Sequence, residues 1–375
     1  MKEDPTLTIQ ECFQEIEDPR ASNRWHRLED IITIAILAAV CGADTWIEVA
    51  EYGEGKESWL QQYLSLPHGI PSHDTFGRVF AVLDPEQLQQ GFLKWISAVH
   101  AVAGEEVVAV DGKQLRRSHD RTHGKSALHM VSAWAAQSRI VLGQWAVDSK
   151  SNENTAIPQL LDQLALQDCI VTVDALNCQR AIAAKIVDQG ADYVMAVKKN
   201  QDELYRTLDL LFSATPELDW VDSDYHQTFS KGHGRVEHRE CWVTDDADYL
   251  EYIAEHADWP GLQSLIRINT VRQTADERTV KQRYFISTLP ADAKLALQSV
   301  RKHWHIENRL HWVLDIGFRE DESRVRKGHG AANFAVIRHI ALNLLEHEES
   351  ATCGTHAKRL KAGWSNDYLL KVLGV

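Results

Sequence analysis

Two short apolar runs that each end in an aspartate constrain the fold of this chain most. Residues 107–113 read VVAVDGK and residues 170–174 read IVTVD. Short runs rich in β-branched residues are typical of buried strands, so both aspartates are predicted at strand ends, with Gly112 turning the chain after Asp111. Asp111 alone is more typical of a turn cap before glycine. Paired with Asp174 it predicts a divalent metal site, because adjacent carboxylates repel unless a cation lies between them.

A long helix predicted over residues 291–316 offers a third carboxylate. Its apolar face recurs in steps of three and four residues. The members of that face are Leu297, Val300, Trp304, His311 and Leu314. Glu307 falls on the same face, where a buried glutamate needs a partner, so we predict that it joins the two aspartates as a metal ligand. The acidic run 320–322 is predicted to be solvated surface.

The segment HWHIENRLHW leaves a zinc site open as an alternative. His303, Glu307 and His311 follow one another at intervals of four residues and share one helix face. The HExxH pattern is absent and the six cysteines lie far apart without a CxxC pair, which disfavours both zinc and a disulfide framework. A histidine beside the carboxylates could instead contact DNA phosphate or assist proton transfer.

Net charge and hydropathy narrow the class of protein. The formal net charge of −14 and the pI of about 5.7 argue against a protein that coats nucleic acid indiscriminately. A local basic groove can still bind DNA while acidic surface lies elsewhere. The longest apolar run, residues 31–40, is too short to cross a bilayer, and no charged-then-apolar leader opens the chain. We therefore expect a cytoplasmic protein with no membrane partner.

The residue pattern changes along the chain and predicts an α/β (α+β) fold with four parts. Residues 1–103 are predicted to form an all-helical domain that could bind DNA ends. Residues 104–215 should form a mixed sheet flanked by helices, the first part of a catalytic domain. A β-rich insertion is predicted over residues 216–290, and residues 291–375 should supply the long helix and the C-terminal helices.

One helix of the first domain has a recognisable start. Ser72 is predicted to cap a helix whose first turns carry His73, Thr75 and Arg78. A recognition helix reads bases from such positions. A capped helix within a bundle is the more general interpretation, and it remains open.

Basic residues cluster near the predicted carboxylates and predict contacts with DNA phosphates. They follow the first aspartate, end the strand after the second, lie in the insertion and follow the long helix. The clustered residues are Lys113, Arg116, Arg117, Lys198, Lys199, Lys231, His233, Arg235, Arg239 and Arg324. Each alone is ordinary solvated charge, but together they could neutralise several phosphates.

Seven sequence blocks occur in an order that resembles a known family. They are GIPSHDTFGRVF, VVAVDGKQLRRS, SNENTAIPQLL, VDALNCQ, AVKKNQ, KGHGRVEHRE and HWHIENRLHWVLDIGFRED. Over nearly its whole length the chain resembles a DDE transposase of the H-repeat-associated (ISAs-type) insertion-sequence group. The resemblance implies an RNase H-like catalytic domain in which Asp111, Asp174 and Glu307 bind two magnesium ions, with manganese as a substitute.

The resemblance also implies an activity and partners. Such enzymes nick double-stranded DNA at the terminal inverted repeats of an element and join the freed 3′-hydroxyl to target DNA. Pairing two ends implies a homo-oligomer on DNA. A catalytically silent DNA-binding remnant, or a repressor of a related element, remains the alternative. A small-molecule phosphohydrolase is disfavoured because no Walker loop is present.

One motif departs from that of better studied relatives. They carry a tyrosine, an arginine and a lysine around the glutamate, where this chain has Val300, His303 and Leu314. His303, Arg301 and Asn308 are candidates to supply the missing contacts with DNA.

Overall fold

One connected set of buried apolar side chains joins the helices and the sheet of the protein. The structure, a computed structural model, describes residues 11–22, 24–99, 106–119, 126–147, 152–214, 223–232 and 234–374. Within these residues, no helix has both the length and the apolar character needed to cross a membrane.

Within residues 24–99, four helices precede the sheet. They are α1 (Leu28–Val40), α2 (Trp46–Leu60), α3 (His73–Val82) and α4 (Pro85–Val99). Nearly every residue of α1 is buried, as expected for a helix that is apolar on all sides and lies in the core. It packs against α2 and against the C-terminal helix Gly330–His347.

The predicted N-cap of α3 is confirmed, because the Ser72 hydroxyl oxygen accepts a hydrogen bond from the Thr75 amide at 3.4 Å. The helix packs against α2 and the C-terminal helix Gly330–His347, as in a helical bundle. His73 and Arg78 remain exposed near its start. Base reading by this helix stays a prediction.

Among the residues that the structure describes, nine strands form a single sheet. They are β1 (Val107–Gln114), β2 (His129–Ala135), β3 (Ile140–Val147), β4 (Ile170–Val173), β5 (Asp192–Val197), β6 (Ser223–Gly232), β7 (Arg235–Thr244), β8 (Ser264–Gln273) and β9 (Arg278–Ser287). The spatial order is β3-β2-β1-β4-β5-β9-β8-β7-β6. Strands β1, β4 and β5 are parallel neighbours, and the other neighbouring pairs are antiparallel.

The predicted α/β fold with a mixed sheet flanked by helices is therefore confirmed. Strands β6–β9 come from the region predicted as an insertion, and they extend the same sheet through the pair formed by β5 and β9. The four domain boundaries stay predictions.

The remaining helices cover the sheet and close the core. They are α5 (Glu153–Leu161), α6 (Arg180–Asp188), α7 (Asp202–Ala214), α8 (Ala247–His256), α9 (Ala293–His305), α10 (Trp312–Gly317), α11 (Gly330–His347), α12 (Thr355–Trp364) and α13 (Asn366–Val372). A π-helical segment, Ile306–His311, joins α9 to α10 without a break, so the predicted long helix exists. Because α9 packs against β1, β4 and β5, it brings this segment over the parallel strands.

Candidate active site

Strand register places the two aspartates side by side. The parallel pairing of β1 and β4 ends with Val110 opposite Val173, so Asp111 and Asp174 follow at the same level. Asp174 lies just beyond β4, as predicted. Asp111 does not end β1, because the strand continues to Gln114 along its other neighbour, β2. The predicted glycine turn after Asp111 is therefore wrong.

Gly112 serves close packing instead of a turn. A Cβ atom at this position would lie 2.3 Å from the Glu153 Oε1 atom and 2.5 Å from the His129 Nε2 atom. The missing side chain leaves room for these two groups beside Asp111. Glycine inside a strand often marks such an approach.

Asp111, Asp174 and Glu307 line one cavity of about 450 Å³. The cavity lies between the parallel strands and α9, and its lining also includes Lys198 and Arg283. Three carboxylates from distant parts of the chain therefore border the same space.

Asp111 carries a perturbed carboxyl group. Its pKa is raised to about 7, chiefly by burial and in smaller part by the negative charges of Asp174, Glu153 and Glu307, while the bond from the Gly112 amide opposes the rise. Its Oδ1 atom accepts a hydrogen bond from that amide at 2.9 Å. Keeping Asp111 deprotonated in the folded protein therefore costs free energy, and a bound cation would offset that cost.

A hydrogen-bond network holds Asp174. Its Oδ1 atom accepts bonds from the Asn177 backbone amide at 3.1 Å and from the Asn177 side-chain amide at 2.9 Å. The same side chain donates to Glu153 Oε2 at 2.7 Å, and Glu153 Oε1 pairs with His129 Nε2 at 2.6 Å. The bond from His129 lowers the pKa of Glu153. Asn177 and Glu153 were not predicted as site residues, although both lie in sequence blocks that carry the resemblance.

Glu307 does not lie on the buried face that its periodicity predicted. Its side chain is 60% exposed, while Ile306 and Leu310 are buried. Trp304, another predicted member of the buried face, is also exposed, so the buried face departs from the predicted one before the π-helical segment begins at Ile306. Glu307 lines the cavity, and only the prediction of its burial is wrong.

Spacing grouped His303, Glu307 and His311 as an alternative zinc site. The structure does not place His303 in a group with the other two. His303 Nδ1 bonds to the Thr172 hydroxyl at 3.0 Å, and burial lowers its pKa to about 4. His311 Nδ1 instead lies 3.2 Å from Glu307 Oε2 and 3.8 Å from Asp111 Oδ2. Burial also lowers the pKa of His311.

Lys113 belongs to a buried ion cluster and not to an open DNA surface. Its Nζ atom donates to Glu320 Oε2 at 2.9 Å and also to Asp315, and its side chain is only 13% exposed. Glu320 is buried and lies 3.7 Å from an Arg338 nitrogen. Burial alone would raise the Glu320 pKa, but the charges of Lys113 and Arg338 outweigh it and lower the pKa. The prediction that Glu320 lies on the solvated surface is therefore wrong, because this glutamate is buried and neutralises Lys113 and Arg338.

The chain matches known families along most of its length. Residues 10–96 match the DDE_Tnp_1-associated family, and residues 102–344 match the Transposase DDE domain family. The chain belongs to the Transposase DDE domain family. The "H repeat-associated putative transposase YhhI" of Escherichia coli (strain K12) is 37% identical over 352 residues, which cover 93% of this chain and 92% of that protein.

Two further relatives extend the comparison. YbfL of Escherichia coli (strain K12) is also 37% identical, over 93% of this chain and 92% of its own length. An "Uncharacterized protein in dhlA 3'region" of Xanthobacter autotrophicus is 41% identical over 75% of this chain and 94% of its own length. The expected resemblance to H-repeat-associated transposases is therefore confirmed.

The predicted DNA contacts of this DDE transposase occupy several environments. Arg116 pairs with Asp321 at 3.2 Å, and the Arg117 carbonyl accepts a bond from Arg326 at 2.8 Å. Lys198 lines the cavity. The exposed members are Arg116, Arg117, Lys198, Lys199, Lys231 and Arg324, and His233 lies outside the described residues.

A groove of about 850 Å³ adjoins the cavity of the transposase and collects the remaining predicted contacts. Strands β7–β9 form one wall and α9 the other. The basic residues that line it are Arg235, Arg239, Arg272, Lys281, Arg283, Arg301 and Lys302. Two glutamates, Glu237 and Glu277, and the predicted contact Asn308 also line it.

Four of these cations, Arg272, Lys281, Arg283 and Lys302, were missed from the sequence. The first three come from β8 and β9, and the pairing of these strands places Arg272 opposite Thr279 and Lys281 opposite Thr270. The Arg283 guanidinium also lies 5.3 Å from the centre of the Trp304 ring. Both residues line the cavity as well as the groove, so the basic surface is continuous with the three carboxylates.

Proposed function

We propose that this transposase nicks DNA at the ends of an insertion element and joins the freed 3′-hydroxyl to target DNA. The single observation that carries the proposal is that Asp111, Asp174 and Glu307 line one cavity. A basic groove opens from that cavity and could accept a polyanionic substrate. The family to which the chain belongs agrees with this chemistry.

The donor set of the cavity fits divalent cations. Carboxylate oxygens are the ligands that Mg²⁺ prefers, and the pKa of Asp111 is raised chiefly by burial, with smaller contributions from the charges of Asp174, Glu153 and Glu307. We propose that Asp111, Asp174 and Glu307 hold two magnesium ions, with manganese as a substitute. When bound, the ions would favour deprotonation of the attacking hydroxyl and stabilise the leaving oxygen.

The chain's own residues orient these ligands and the DNA. Asn177 fixes the Asp174 carboxylate through two hydrogen bonds, and the Gly112 amide fixes Asp111. Lys198 and Arg283 line the cavity, where they could contact the scissile phosphate and its neighbours. The basic groove would hold the flanking duplex. Two copies of the chain would act together, since two element ends must be paired.

Cleavage of labelled terminal-repeat DNA in Mg²⁺ tests the proposal. Asp111→Asn, Asp174→Asn and Glu307→Gln are each expected to abolish nicking while circular dichroism stays that of the parent. Glu203→Gln is the matched control, because this exposed glutamate lies on α7 away from the cavity. Nicking at the parental rate by a variant lacking all three carboxylates would end the proposal. End-specific binding without nicking by the parent would favour a silent DNA-binding protein.

A further inference from the structure

We propose that His311 is a further ligand of a cation held by Asp111 and Glu307, through its Nδ1 atom. The inference rests on the proposed function, since it concerns the same cation site. Among the residues that the structure describes, Asp111, Glu307 and His311 each offer a ligand atom within 4.8 Å of the other two. The site would therefore combine carboxylate oxygens with one imidazole nitrogen.

The distances suit shared coordination. His311 Nδ1 lies 3.2 Å from Glu307 Oε2 and 3.8 Å from Asp111 Oδ2. Neighbouring ligands of one octahedral ion at about 2.1 Å are separated by about 3 Å. The distance from His311 to Glu307 is already close to that spacing. The distance from His311 to Asp111 must shorten by about 0.8 Å, which needs only a small movement of the Asp111 carboxylate or the His311 ring.

The His311 side chain is also held in place. It is only 6% exposed, so it cannot turn into solvent as a surface histidine does. Its carbonyl oxygen accepts a hydrogen bond from Lys113 Nζ at 3.3 Å, and Lys113 is itself fixed by the buried Glu320. The π-helical segment carries both Glu307 and His311, and such segments occur frequently at functional sites.

His303 provides a contrast to His311. It lines the cavity with the carboxylates, but its Nδ1 atom bonds to the Thr172 hydroxyl at 3.0 Å. It does not belong to the group formed by Asp111, Glu307 and His311. His303→Gln is therefore a matched control for His311→Gln.

An imidazole donor has a chemical consequence. Nitrogen ligands favour Mn²⁺ and later transition metals, whereas Mg²⁺ favours oxygen alone. The transposase should therefore bind Mn²⁺ more tightly than Mg²⁺, and His311→Gln should reduce that preference. This readout does not depend on DNA cleavage.

Electron spin-echo envelope modulation of the full chain loaded with Mn²⁺ tests the inference directly. The parent and His303→Gln should show modulation from a directly bound nitrogen, and His311→Gln should lose it. Titration calorimetry should show a fall of about tenfold or more in Mn²⁺ affinity for His311→Gln, since even outer ligand partners contribute about 10–100-fold.

The outcomes separate this inference from the proposed function. If the parent binds Mn²⁺ in a manner that Asp111→Asn abolishes, yet shows no nitrogen modulation, the role of His311 is overturned and the carboxylate site survives. The role of His311 is also overturned if the nitrogen modulation disappears in His303→Gln but remains in His311→Gln. If Asp111→Asn binds Mn²⁺ as the parent does, both the role of His311 and the proposed carboxylate site are overturned. The parental spectrum decides even if His311→Gln does not fold.

Discussion

Replacing Asp111 by asparagine should stabilise the cation-free protein at neutral and alkaline pH. The structure raises the pKa of this carboxyl group from 3.8 to about 7, chiefly through burial. A native pKa above the unfolded one means that the deprotonated form is disfavoured in the folded state. The loss of folding stability caused by ionising Asp111 is therefore absent below pH 3.8, grows as the pH rises and is complete above about pH 7.

The magnitude follows from the two pKa values. Their difference of about three corresponds to about 4 kcal/mol of lost stability above the native pKa. Near pH 5 the penalty should be only about 2 kcal/mol, because the unfolded state alone has begun to ionise. Asparagine removes the charge while its side-chain oxygen can still accept the bond from the Gly112 amide.

Urea denaturation in the presence of a chelator measures the effect. At about pH 8, Asp111→Asn should raise the free energy of unfolding by up to about 4 kcal/mol, and at about pH 5 by roughly half as much. Asp276→Asn, in the exposed turn between β8 and β9, is the control and should change it by less than about 0.5 kcal/mol.

Added Mg²⁺ should narrow the gap. Binding at ten times the dissociation constant stabilises the parent by about 1.4 kcal/mol, less than the gap of up to about 4 kcal/mol at about pH 8, and Asp111→Asn should gain much less. At about 1,000 times the dissociation constant, the gain of about 4.1 kcal/mol should close the gap. A variant no more stable than the parent at about pH 8 without cations would refute the reasoning about buried charge. A gain that does not shrink at about pH 5 would also refute it.

Two further predictions concern the cations around the site. Lys113→Met should lower the free energy of unfolding by about 3–5 kcal/mol in urea denaturation, because it leaves buried Glu320 without its closest partner. Lys199→Met, at an exposed position, is the control, and a loss below about 1 kcal/mol in Lys113→Met would contradict the assignment. Arg272→Ala and Lys281→Ala, in the groove, should each reduce the slope of log K against log salt for terminal-repeat DNA by about one. If the slope is unchanged in both variants, the groove does not contact the DNA.

Local patterns were enough to predict most of the secondary structure. The β-branched runs predicted β1 and β4, and Ser72 predicted the start of α3, because strand burial and helix capping depend on adjacent residues. The same patterns indicated Asp111 and Asp174 as a pair. Their proximity follows once the two strands are known to be parallel neighbours.

Periodicity misplaced the buried face of the long helix. It predicted Trp304 and Glu307 on that face, but both are exposed, and Ile306 and Leu310 are buried instead. Spacing likewise grouped His303 with Glu307 and His311. The structure groups Asp111 with the latter two, since Thr172 binds His303.

The sequence by itself determined the order of elements, the two strands that position Asp111 and Asp174, and the blocks that resemble those of DDE transposases. These features depend on residue type and on spacing over a few positions. Only the tertiary structure decided that Lys113 neutralises Glu320, that Gly112 admits Glu153 and that His311 faces the carboxylates. Each of these contacts joins elements that are distant in the chain, and its energy depends on burial and charge that no local pattern encodes.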